Sequence, residues 1–187
     1  MADTGDKVKK AGYEYLLAYK LTVPIYDYTI EFCKRWISYK SRTKDQMEQG
    51  ARSGMQNIPE GSKQQSLGGY IKLAGVSRGS LEELLKDYLA YARQNKLEVW
   101  EEERVIREIR EIGRIWEIIK KNPYLPNNPN FPALPWDKEK AVNLLITLIN
   151  QANYLIDKLI KSLKEKHMKE GGFSEKLYSA RKKYRGY

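Results

Sequence analysis

Two side chains are the natural starting point for any chemistry in this chain: its one histidine, His167, and its one cysteine, Cys33. A lone cysteine offers no intramolecular disulfide framework, and one cysteine with one histidine cannot build a zinc cluster. The paired carboxylate–histidine sites of a di-iron bundle need two histidines. A Ser-His-Asp or Cys-His arrangement would have to use His167, which lies in the charged run Lys164–Lys169. Gly68-Gly69, Gly75, Gly79 and Gly171-Gly172 match neither a phosphate-binding loop nor a dinucleotide fingerprint. The carboxylates fall in helix-surface spacings such as Glu82/Lys86 and Glu103/Arg107, which read as solvated i,i+4 ion pairs. The sequence therefore predicts no enzyme, no cofactor and no metal.

What remains is positive charge interleaved with aromatic rings. The formal net charge is +10, which favours an anionic partner such as nucleic acid. Lys161, Lys164, Lys166, Lys169, Lys176, Arg181, Lys182, Lys183 and Arg185 outnumber the acids around them, and Tyr178, Tyr184 and Tyr187 stand among them. Basic side chains neutralise phosphates and rings stack on unpaired bases. Arg42, Lys44 and Arg52 are further candidate contacts, although a structural polar network is the preferred reading for all three.

The elements that position these residues read as helices. The central stretch is Arg42–Ser62, RTKDQMEQGARSGMQNIPEGS. Ser41 or Thr43 can cap it, Asp45 complements the dipole in its first turn, and Pro59 with Gly61 is expected to end it. Met47, Ala51, Met55 and Ile58 form one apolar face, and Gly50 and Gly54 beside it suggest a thin side where another backbone comes close. The polar remainder suggests a network of Arg42, Thr43, Asp45, Gln46, Arg52, Ser53, Gln56, Asn57 and Glu60, joined by Arg78, Ser80 and Glu83 from the next helix.

This stretch, followed by VSRGSLEELLKDY at Val76–Tyr88, resembles the small prokaryotic four-helix-bundle proteins. These include the family encoded in ribosomal-RNA intervening sequences, the accessory proteins of diversity-generating retroelements, and most of all the "four helix bundle suffix" group. The likeness covers most of Tyr26–Arg93 and extends loosely to Ala141–Leu163 and Gly171–Phe173. It departs from the family at Gly50 and Pro59, where the resemblance implies alanine. It implies a four-helix bundle, assembly into a basic, barrel-shaped pentamer, and service to an RNA or reverse-transcriptase complex.

Taken in order, residues 1–21 read as a polar tail and an aromatic-rich arm, and 22–169 as the bundle. Its core helices are expected at about 22–40, 42–60, 65–94 and 137–169. The first starts beside Pro24, since proline suits a first helical turn, and buries Ile25, Thr29, Phe32, Trp36 and Ile37, with Cys33 as a small buried filler. In the third, Leu67, Ala74, Leu81 and Tyr88 form one heptad row and Ile71, Arg78, Leu85 and Ala92 another. A hairpin turning near Lys63 would set Arg78 level with Asp45 and Glu48. Ser80 and Glu83 could instead cap a new helix, but the unbroken seam favours one continuous helix.

An extra helix, an insertion or a bent continuation of the third, is expected at about 100–120, with Val105, Ile109, Ile112, Trp116 and Ile119 as its stripe. Prolines at 123, 126, 129, 132 and 135 make 121–136 a stiff crossover. The last long helix is apolar over two rows, so it needs cover beyond a four-helix core, either from the insertion or from a second subunit. Its Asn143, Asn150, Gln151, Asn153 and Asp157 exclude an ordinary membrane span. Residues 170–187 form a basic segment with a short helix.

The reading at this level is an all-α, antiparallel up-and-down four-helix bundle with an inserted helix and a short C-terminal helix. It is expected to be cytoplasmic, homo-oligomeric and non-catalytic, and to bind nucleic acid, with RNA ahead of DNA. The alternative is a protein-interaction scaffold on which the charge is incidental.

Overall fold

The computed structural model describes residues 11–186, with only the backbone of Phe173 and Ser174. The expected N-terminal tail and Tyr187 lie outside the described residues. Every regular element within them is helical: a short 3-10 turn at Gly12–Tyr15, then α1 (Leu17–Trp36), α2 (Arg42–Ser62), α3 (Leu67–Gln94), α4 (Glu102–Glu108), α5 (Arg110–Lys121), α6 (Lys138–Glu170) and α7 (Phe173–Arg185). None is long and apolar enough to cross a membrane.

α1, α2, α3 and α6 form the bundle. α1 packs beside α2, α2 beside α3, α3 beside α6, and α6 closes back on α1. Contacts such as Ser53 to Ser80 and Ser77 to Gly54 place α2 and α3 antiparallel. Arg78 to Asp157 and Glu82 to Asn153 do the same for α3 and α6. Phe32 of α1 sits at the centre, edge-on to both Tyr88 and Tyr91 of α3. The Tyr88 hydroxyl donates to Thr29 Oγ1 at 3.0 Å, and that hydroxyl donates to the Ile25 carbonyl at 2.7 Å, so the buried polar groups of this layer are satisfied.

The helix limits differ from expectation in two places. α1 begins at Leu17, not near Thr22, so Pro24 stands in its second turn. Ala18, Leu21 and Ile25 are buried in continuous helical period, and their packing outweighs the backbone bond that proline removes. α2 runs through Pro59 and Gly61 to Ser62, whose hydroxyl donates to the Pro59 carbonyl at 2.8 Å. Gly61 is retained for packing rather than for stopping the helix. A Cβ there would stand 2.5 Å from Cδ2 of Tyr70. α3 is one continuous helix, with Ser66 rather than Ser80 capping it through Gly69 N–H.

The inserted helix is separate from α3. A turn with Lys96 at φ 56° leads into an extended strap, and the helix that follows breaks at Ile109 into α4 and α5. The break keeps Val105 and Ile109 on one side of it, and Ile112, Ile115 and Ile119 on the other, all buried. Ile115 takes the inner place expected of Trp116, which is half-buried.

Three side chains of α1, seven or eight residues apart, hold this excursion down. Lys20 Nζ is buried and donates to the carbonyls of Ile119 (2.7 Å) and Asn122 (2.9 Å), closing the C-terminus of α5. The Tyr28 hydroxyl donates to the Pro132 carbonyl at 2.6 Å. Arg35 Nη1 donates to the carbonyls of Leu134 and Pro135, and its guanidinium lies 4.0 Å from the ring centroid of Trp136. From α6, Asn143 accepts from Trp100 N–H at 2.7 Å and donates to the Glu98 carbonyl at 2.9 Å, fixing the strap. As a result every residue from Ala141 to Ile149 is buried. The apolar excess of α6 is covered within the chain over residues 141–149, while farther along Leu155, Leu159 and Ile160 are half-buried.

Candidate nucleic-acid interface

The candidate residues fall into two separate groups. Arg42, Lys44 and Arg52 lie on α2, the helix diagonal to α6 in the bundle. Lys161 and Lys164 are exposed on the outer part of α6, and Arg181, Lys182, Lys183 and Arg185 are exposed on α7. α7 leaves beside the start of α3, at the end opposite to Arg42 and Lys44. The structure does not bring the two sets together.

On α2 the cations have local partners. Lys44 Nζ is 2.6 Å from Glu48, and this hydrogen bond holds its ammonium above the ordinary lysine pKa. Arg42 lines an open groove of about 880 Å³ between α2 and α3, with Asp45, Gln46, Gln49, Ser53, Ser80, Glu83 and Asp87. Three carboxylates face one guanidinium there, which opposes phosphate. Burial, reinforced by nearby Glu83, raises the Asp87 carboxyl above its usual range. Arg52 is exposed.

The polar network expected inside the bundle is therefore largely a surface feature. Thr43, Asp45, Gln46, Glu60 and Glu83 are exposed, and Gln56 is half-buried. Thr43 meets the capping Ser41 through its backbone, at 3.2 Å. Only Ser53, Asn57 and Ser80 interlock: the two hydroxyls are 2.8 Å apart, and Asn57 Nδ2 donates to Ser53 Oγ at 2.9 Å. Arg78 does not meet Asp45 or Glu48. It binds Glu82 at 2.9 Å and Asp157 of α6 at 3.2 Å. Its burial favours the neutral form, but those two carboxylates outweigh it and hold the guanidinium charged. The register differs because the α2–α3 turn occupies residues 63–66, which slides Ser53 level with Ser80.

At the C-terminal end, Gly171 at φ 73° stops α6, and Glu175 Oε2 accepts from Gly172 N–H at 2.7 Å to start α7. Lys166 and Lys176 both approach Glu170, at 3.8 and 3.1 Å. From Glu175 to Gly186 every residue is exposed, including Tyr178 and Tyr184 at 70% and 94%. His167 is not fully exposed as its sequence context suggested. It is tucked against Gly172, with Nδ1 enclosed and no hydrogen-bond partner among the described residues. Cys33 is fully buried, and burial, with nearby Glu48, pushes its thiol up to about 12, as suits a core filler.

Sequence reasoning missed a second basic and aromatic surface. Lys120 Nζ lies 5.4 Å from the ring centroid of Trp116 on α5, and Lys158 Nζ lies 4.5 Å from that of Tyr154 on α6. The signal was present as Trp116/Lys120 and Tyr154/Lys158 at i,i+4. It reads as a surface only once α5 is laid on α6. The chain is an all-helical protein with a four-helix core and a helical insertion. No family model, no curated protein and no solved structure matches it.

Proposed function

We propose that this protein is a non-catalytic nucleic-acid-binding bundle whose contact surface is α7 together with the outer turns of α6. The observation that carries this reading is α7 itself: Lys176, Arg181, Lys182, Lys183 and Arg185 stand against the single acid Glu175, on a helix whose described side chains are all exposed. Side chains of that kind release counterions from a phosphate backbone at little desolvation cost. The family resemblance favours RNA, and an accessory role in an RNA or reverse-transcriptase complex. In a homo-oligomer the same surface would recur around the assembly, and weak contacts would add through avidity.

The test is fluorescence anisotropy of a labelled RNA hairpin across a salt series. Log affinity should fall linearly with log salt. Replacing Arg181, Lys182, Lys183 and Arg185 by glutamine should flatten the slope by up to about one for each phosphate no longer neutralised. Absence of binding at low salt would sink the reading. The second reading, a protein scaffold, draws on the acidic α2–α3 groove, which suits a cationic segment of a partner protein. In that case Glu83→Gln with Asp87→Asn should abolish capture of the partner and leave RNA titrations unchanged.

A further inference from the structure

The start of α4, α5 and α6 line an open cleft of about 450 Å³, formed by Glu102, Trp116, Asn150, Gln151, Tyr154 and Leu155. The Trp116 ring is held in place, since its Nε1–H donates to Gln151 Oε1 at 2.8 Å. Gln151 Nε2 in turn donates to Glu102 Oε1 at 3.3 Å. Across the cleft Tyr154 is 59% exposed, which nothing in the packing of the core requires. Each ring carries a lysine ammonium over it, Lys120 on Trp116 and Lys158 on Tyr154. Lys161 follows Tyr154 by seven residues, two turns and about 10 Å along the same side of α6.

We propose that this cleft is a stacking slot for one unpaired nucleobase, with Lys120, Lys158 and Lys161 taking the phosphates on either side of it. The proposal rests on the nucleic-acid reading and deepens it by naming a single strand as the ligand. Flat rings, ammonium groups close to them and an exposed amide at the rim are a combination that holds unpaired bases, because every base has a π-face whatever its identity. Asn150 is exposed at the rim and supplies both a donor and an acceptor. The Glu102 carboxylate accepts from exocyclic amino groups and repels phosphate, so the base points inward and the backbone stays outside.

The experiment is anisotropy with a labelled 12-nucleotide single-stranded RNA and with a duplex of matching length. Tyr154→Ala should weaken single-strand binding about tenfold. Tyr154→Phe, which keeps the ring, should bind like the unaltered protein. Duplex affinity should stay unchanged in both, and the salt slope of Tyr154→Ala should equal that of the unaltered protein, since no charge is removed. Lys158→Gln should lower the slope by about one. Single-strand binding by Tyr154→Ala as tight as that of the unaltered protein overturns the slot and leaves the α7 reading standing. An equal loss on single strand and duplex also overturns it, because paired bases present no free face. Failure of the unaltered protein to bind either RNA overturns both proposals together.

Discussion

At the scale of single residues, two glycines one turn apart answer to different constraints. A Cβ on Gly50 would meet Ser80 O at 3.5 Å and Leu84 Cβ at 3.7 Å, which is ordinary contact. A Cβ on Gly54 would meet Leu81 Cδ2 at 2.5 Å and Cγ at 2.7 Å, and Leu81 is fully buried. Gly50→Ala should therefore stabilise the fold by up to about 1 kcal/mol, the helix-propensity difference. Gly54→Ala should destabilise it by about 1–3 kcal/mol through overpacking, net of the same gain. Urea unfolding of the two variants checks both signs. Asp87 gives a pH signature. Its folded carboxyl pKa lies above the unfolded value of 3.8, so the native state holds the proton more tightly, and stability falls as pH rises through the window between them. Asp87→Asn should then stabilise the protein at pH 7, by about 0.2–0.5 kcal/mol from the relieved i,i+4 repulsion with Glu83 alone. The gain should shrink as pH approaches 3.8, as denaturation midpoints at pH 7 and pH 4 would show. The thin side of α2 was legible in the sequence as a pair of glycines. Which of the two was obligatory was not, because that depends on the rotamer of Leu81.

At the scale of elements, Lys20 shows how much one buried cation can organise. It comes from α1 and closes the end of α5, where two carbonyls would otherwise face the interior unpaired. Lys20→Met should cost about 1–3 kcal/mol for the orphaned carbonyls. Hydrogen exchange should accelerate first in α5 amides, before those of α3. The number of long helices and a cap for α2 at Ser41 or Thr43 were legible from local chemistry, because each depends on residues within one turn. The start of α1, the passage of α2 through Pro59, and the break at Ile109 were not. Each is decided by packing against residues far away in the sequence. The partners of Arg78 were misplaced for a related reason: a heptad row shows which residues turn inward, but not which neighbouring helix each one meets, and Arg78 meets α6 rather than α2.

At the scale of the whole molecule, charge is segregated. The α2–α3 face is a polar groove rich in carboxylates, while α7 and the outer turns of α6 are basic. Neutralising Arg181, Lys182, Lys183 and Arg185 should lower RNA affinity strongly at low salt and leave the thermal midpoint nearly unchanged, since those side chains are exposed; melting and anisotropy on one preparation check both. The sequence showed the basic end plainly, because it is a contiguous run. The aromatic cleft between α5 and α6 needed three dimensions, since its two rings are 38 positions apart. The stitching of the insertion by Lys20, Tyr28, Arg35 and Asn143 also bears on how the protein comes apart. The excursion lays Val105, Ile109, Ile112, Ile115, Ile119 and Leu134 into the same apolar interior as the four core helices, but it does so from two short helices and long irregular connections that these polar contacts hold in place. Opening should start at the excursion, as a sub-global event with its own, lower free energy. That event would bare the outer side of the α6 segment 141–149 while the bundle still stands, producing a folded but adhesive species. Shelf life in solution is then governed by the hold of the excursion, its polar stitches and its apolar stripe together, rather than by global unfolding of the bundle.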